Sequence, residues 1–84
     1  MEAQLQSIDM AINSLTDVVV ARRKGLNEAL KMGFSTPDAT KIAVVISELG
    51  RNIMLYAKKG VITLLIPQDG EYIKIIAEDQ GPGI

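Results

Sequence analysis

The chain has 84 residues, a formal net charge of −1 and an apolar fraction of 48%, the composition of one small globular domain and not of a disordered segment. Lys and Arg are scattered and no stretch reaches transmembrane length, so neither a nucleic-acid partner nor a membrane partner is expected. Cysteine and histidine are both absent, which excludes disulfides, thiolate zinc sites, Cys nucleophiles, Ser-His-Asp chemistry and phosphohistidine within this chain. Any catalysis must use carboxylates, amides, backbone groups and a recruited cofactor.

Met1-Glu2-Ala3-Gln4 has no positive region and no long apolar run behind it, so no signal peptide is visible and a cytoplasmic location is expected. Leu5 to Ile12 alternates, with Ile8, Met10 and Ile12 on one face and Ser7, Asp9 and Ala11 on the other, which predicts a half-buried strand. Ser14 with Asp17 three residues on resembles a capping box, with Asp in place of Glu. A helix follows to about Met32, with Gly33 as its left-handed terminator. Val18-Val19-Val20 is β-branched and argues for continued strand, but Ala21, Leu26, Ala29 and Leu30 hold helical spacing.

Ser35-Thr36-Pro37-Asp38 starts a second helix. Thr36 serves as cap, Pro37 fits the first helical position, and Asp38 complements the positive end of the dipole. The helix is expected to run to about Lys58, with Gly60 ending it. Its apolar stripe is Ile42, Val45, Ile46, Leu49, Ile53 and Tyr56. Glu48 and Asn52 stack one turn apart at the border of that stripe. An acid and an amide so placed can face a cleft; the same spacing also describes the solvated flank of an amphipathic helix. Ser47 reads as a solvated residue, since no histidine exists to activate it. Arg51 reads as a solvated charge, with a phosphate contact as the alternative.

Val61 to Ile66 is a buried strand between Gly60 and Pro67. Pro67-Gln68-Asp69-Gly70 is a hairpin turn. Glu71 to Glu78 returns as a strand, with Ile73, Ile75 and Ala77 on one face and Tyr72, Lys74, Ile76 and Glu78 on the other. The order strand, helix, helix, strand, strand predicts an α+β two-layer sandwich, one domain over 1–84, with both helices on one face of the sheet. The last strand runs into Asp79-Gln80-Gly81-Pro82-Gly83-Ile84. The carboxylate can accept a hydrogen bond from an exocyclic amine, and the two glycines let backbone approach a flat ligand or its phosphates. These are also the residues of an ordinary turn leaving a strand.

Taken together, a helix with Ser47-Glu48-Leu49 and Asn52, a hairpin, and a strand ending in Asp79-Gln80-Gly81-Pro82-Gly83-Ile84 resemble the Bergerat-fold (GHKL) ATPase and kinase family, which includes histidine kinases, the gyrase ATPase and MutL. Within it, Ile46-Ser47-Glu48-Leu49, Arg51-Asn52-Ile53 and Leu55-Tyr56-Ala57 look nearest to the serine/threonine switch kinases of the bacterial stressosome (RsbT-type). The anti-sigma kinases (RsbW and SpoIIAB types) come next; they usually carry His-Gly where Tyr56-Ala57 stands. The resemblance covers nearly the whole chain, including Asp17 to Arg22 and Gly33-Phe34.

The resemblance implies an ATP-binding kinase that regulates the general stress response. It would phosphorylate STAS-domain antagonist or scaffold proteins, then release to activate a PP2C-type phosphatase. Asn52 would coordinate Mg²⁺, Glu48 would act as general base, Asp79 would bond the adenine amine, and Gly81 and Gly83 would line the nucleotide. Leu55 stands where histidine kinases commonly carry a phosphate-binding lysine. The family continues with an ATP lid and a second Gly-rich box, which these 84 residues do not include. The expectation is therefore an incomplete Bergerat fold, the N-terminal part of the ATPase domain, inactive alone and prone to self-association through strand edges. The rival readings are an anti-sigma kinase that binds a sigma factor directly and a non-enzymatic interaction module.

Overall fold

A computed structural model describes residues 5–80 of the protein. The elements are β1 (Leu5–Ile12), α1 (Leu15–Lys31), α2 (Thr36–Tyr56), β2 (Gly60–Pro67) and β3 (Lys74–Asp79). The strands form one antiparallel sheet in the order β1-β2-β3. The α+β order read from the sequence is the observed one.

Register decides which strand residues meet the helices. Leu64 pairs with Ile8 and Ile75, Ile62 with Met10 and Ala77, and Gly60 with Ile12 and Asp79. Directly opposed residues share a face, so these rows form the helix side of the sheet. Ile12, Ile62 and Leu64 are fully buried there, against Val18 and Ala21 of α1 and Ile46 and Ile53 of α2. On the other face Thr63 donates its hydroxyl to Asp9 at 2.8 Å.

The helix ends follow local chemistry. The Ser14 hydroxyl accepts the Asp17 N–H at 3.2 Å, and the Asp17 carboxylate accepts the Asn13 N–H at 2.8 Å. The α1 terminus closes with Phe34 N–H to the Ala29 carbonyl at 3.1 Å and Gly33 N–H to the Leu30 carbonyl at 3.0 Å. That is a Schellman motif, and Gly33 supplies the left-handed residue it needs, at φ 93°.

Three boundaries differ from the sequence expectation. Ser35, not Thr36, caps α2: its hydroxyl accepts the Asp38 N–H at 3.2 Å, and Thr36 is the first helical residue. Pro37 then falls on a position whose missing N–H costs nothing. At the other end α2 stops at Tyr56, not near Lys58. Lys58, at φ 74°, takes the left-handed turn and donates its N–H to the Ile53 carbonyl at 2.8 Å. Gly60 opens β2 instead of ending the helix. The third difference is β3, which begins at Lys74 and not at Glu71. Gly70 N–H bonds the Pro67 carbonyl at 3.0 Å, and the Asp69 carboxylate takes the Glu71 N–H at 3.0 Å. This local bonding turns the chain before it can pair.

The buried line of α2 is also rotated from the predicted stripe. It runs through Ala39, Ala43, Ile46, Gly50 and Ile53, while Val45 and Tyr56 are exposed. Small residues let α1 and α2 approach closely. A Cβ on Gly25 would meet the Ile46 side chain, and one on Gly50 would meet Val18 at 2.9 Å. Each helix thus receives a side chain from the other over a glycine.

Candidate functional site

Asn52 lies one turn before the C-terminal end of α2, and Asp79 is the last residue of β3. They meet across one hollow of about 160 Å³, whose other lining residues are Leu49, Ile53, Tyr56 and Ala77. Both polar side chains are exposed at this rim, so their oxygens are open to a ligand. The remaining lining is largely apolar, the mix of apolar walls and a few polar groups common to small-molecule sites.

Gly60 sets this geometry. It pairs with Asp79, and a Cβ there would lie 2.5 Å from the Glu78 carbonyl oxygen, 2.9 Å from Ile53 Cγ2 and 3.1 Å from Asp79 Cα. Only glycine lets the end of β3 come this near α2. Gln80 N–H then bonds the Lys59 carbonyl at 2.9 Å, which ties the chain leaving Asp79 to the α2–β2 connection.

Glu48 is exposed one turn before Asn52 on α2. It lines a second hollow, with Arg22, Val44, Ser47 and Arg51. Asn52 and Asp79 therefore share a hollow, and Glu48 stands beside it in another. Gly81 and Gly83 lie outside the described residues. Leu49, Ala77 and Gly60 belong to the site without having been expected there. Leu49 and Tyr56 are legible as neighbours of Asn52 at helical spacing, whereas the contribution of Ala77 and Gly60 depends on the β2–β3 register.

Over 70 residues the chain is 51% identical to the serine/threonine-protein kinase RsbT of Bacillus subtilis (strain 168), a match taking in 81% of the chain and 53% of that protein. The chain thus spans about half the length of the curated relative it matches. No family model matches it, and no solved structure does. The likeness to RsbT-type sequences drawn from the two motifs holds across most of the chain.

Proposed function

The chain belongs to the RsbT-type family of serine/threonine-protein kinases, and we propose that it carries the first nucleotide-binding elements of a Bergerat-fold domain, the whole protein being a kinase that uses Mg-ATP. The observation that carries this reading is the meeting of Asn52 and Asp79, from a helix and a distant strand end, across one hollow.

The donor set fits such a ligand. The Asn52 amide oxygen is a hard donor of the kind Mg²⁺ accepts. Among the described residues no group of three or more His, Cys, Asp or Glu is placed to hold a metal. Mg²⁺ usually keeps several waters and is bound largely through substrate phosphates, so it asks only one or two oxygen donors of a protein. The hollow of about 160 Å³ is smaller than whole-ligand pockets of roughly 300–1,000 Å³, so it would take only part of a nucleotide, with the base toward Asp79 and the metal toward Asn52. There Asp79 accepts from the exocyclic amine while Leu49, Ile53 and Ala77 face the ring. By the same resemblance Gly81 and Gly83, which lie outside the described residues, would line the nucleotide.

When bound, Mg-ATP supplies the phosphoryl group and the charge neutralisation that its transfer requires. The chain's own residues orient and deprotonate. Asn52 would hold the metal, Asp79 would hold the base, and Glu48 would take the proton from an acceptor hydroxyl arriving beside Asn52. In the same reading the acceptors are STAS-domain proteins of a stressosome, and release from them activates a PP2C-type phosphatase in a cytoplasmic stress response. The test is Glu48→Ala in the whole protein. Phosphoryl transfer falls by roughly 10²–10⁴-fold while Mg-ATP affinity is unchanged; transfer at the wild-type rate rejects the assignment.

A further inference from the structure

Beyond Glu48, the face shared by α1 and α2 carries a continuous groove. Three adjoining hollows, of about 140, 350 and 390 Å³, all include Arg51 in their walls. Two share Leu15, and two share Arg22 and Ser47. The groove therefore runs from Leu55 and Lys58, past Leu15 and Val19, to Val44 and Glu48.

Its floor is apolar and open. Leu15 is 65% exposed, Leu55 67% and Val19 57%. Single exposed apolar side chains are ordinary, but these adjoin one another along one groove. Its rim is cationic. Arg22, Arg51 and Lys58 line it, and the ion pairs among the described residues all belong to Glu28. The carboxylate nearest along the helix, Glu48, lines one of the three hollows together with both arginines and is ion-paired to neither. Asp17, on the same end of α1, is already engaged in the helix cap. With Arg22, Arg51 and Lys58 against Glu48 alone, the walls keep an excess of positive charge over an apolar floor, which complements one kind of partner: an amphipathic segment whose apolar face is flanked by Asp and Glu.

We infer that this groove docks an acidic amphipathic segment of the phosphoryl-acceptor protein, with Arg22 and Arg51 as the specificity-determining pair. The identity of the occupant as the acceptor rests on the kinase reading above, because the groove ends at Glu48; the docking chemistry itself does not. Arg51 selects at the crossing of the three hollows, and Arg22 at the Glu48 end.

The test uses the ¹⁵N-labelled chain and a short synthetic peptide with Leu at helical spacing, Asp and Glu between, and one Ser. Resonances of Leu15, Val19, Ser47, Leu55 and the two arginine side chains shift on titration. Arg22→Gln and Arg51→Gln each weaken binding about 3-fold, and about tenfold together, as partly exposed charge pairs do. Leu55→Ala weakens it by a similar factor, while Lys41→Gln and Lys74→Gln leave it unchanged. Equal binding of a peptide with Asn and Gln in place of Asp and Glu overturns the proposal, as does unchanged affinity in the double variant or no binding at all. A parallel titration with Mg-ATP separates this inference from the kinase reading. Shifts at Asn52 and Asp79 test that reading alone. Shifts at Arg22 and Arg51 with Mg-ATP but not with peptide make the groove a phosphate subsite and end the docking proposal.

Discussion

Gly60 sits where β2, the end of β3 and α2 come closest, and its replacement is the sharpest residue-level probe of the site. A Cβ there meets backbone, the Glu78 carbonyl oxygen at 2.5 Å, and backbone cannot swing away as a side-chain tip can. Gly60→Ala is expected to cost roughly 1–3 kcal/mol in chemical denaturation, the range for overpacking, and to push Asp79 away from Asn52. Wild-type stability would mean that the close approach is not required. Glu28 gives a second residue-scale prediction. It is buried, with its carboxylate 3.2 Å from the Lys31 ammonium and 3.3 Å from that of Lys24. Burial raises its pKa, but the two lysines outweigh burial and hold it below the usual glutamate value. A depressed pKa gives stability that is full above the unfolded value and lost as pH falls through the folded one. The stability advantage of wild type over Glu28→Gln is therefore present at neutral pH and shrinks as the pH falls through and below the ordinary carboxylate range. Urea midpoints measured from neutral pH down into that acid range check this; a difference that stays constant contradicts it.

At the scale of elements, caps decide where the helices start. Ser14→Ala and Ser35→Ala should each cost about 1 kcal/mol, the usual worth of an N-cap side chain. Thr36→Ala should cost less, because Thr36 is already inside the helix and it is its carbonyl, not its hydroxyl, that takes the Thr40 hydroxyl at 2.8 Å. Thermal melts of the three variants rank them; a larger loss at Thr36 than at Ser35 would move the cap back to Thr36. The same scale shows what is legible in the sequence. Alternation in β1 identifies the strand and its inward face, because a period of two leaves little ambiguity; the continuous apolar run of β2 identifies a strand but not which of its faces meets the helices. Both helices are legible from caps and spacing. The buried line of α2 is not, since a stripe of large apolar residues passes over Ala39, Ala43 and Gly50. Helix–helix contact here is made by small residues, with Val18 and Ile46 filling the space over the glycines. The start of β3 escapes the alternation pattern because Asp69 and Gly70 bond locally, and such turn bonds compete with strand pairing.

At the scale of the whole molecule, two helices cover one face of a three-stranded sheet, and the Cα extents of 41 × 31 × 15 Å describe a thin two-layer slab. The candidate site lies at the border of the layers, where a helix side and a strand end converge. Sequence chemistry points to Asn52 and Asp79 separately. That they share a hollow depends on the pairing of Gly60 with Asp79, a long-range register with no local signal. The central claim is that the two act on one ligand. The direct measurement is a Mg-ATP titration of the labelled protein, wild type and Asp79→Asn, followed at the Asn52 side-chain amide and the backbone of 77–79. The expected result is that α2 and β3 signals shift together with one affinity, and that Asp79→Asn weakens that affinity by about 1–3 kcal/mol, the cost of a mismatched polar group once the ligand covers it. Shifts confined to one of the two elements, or wild-type affinity in Asp79→Asn, would contradict it.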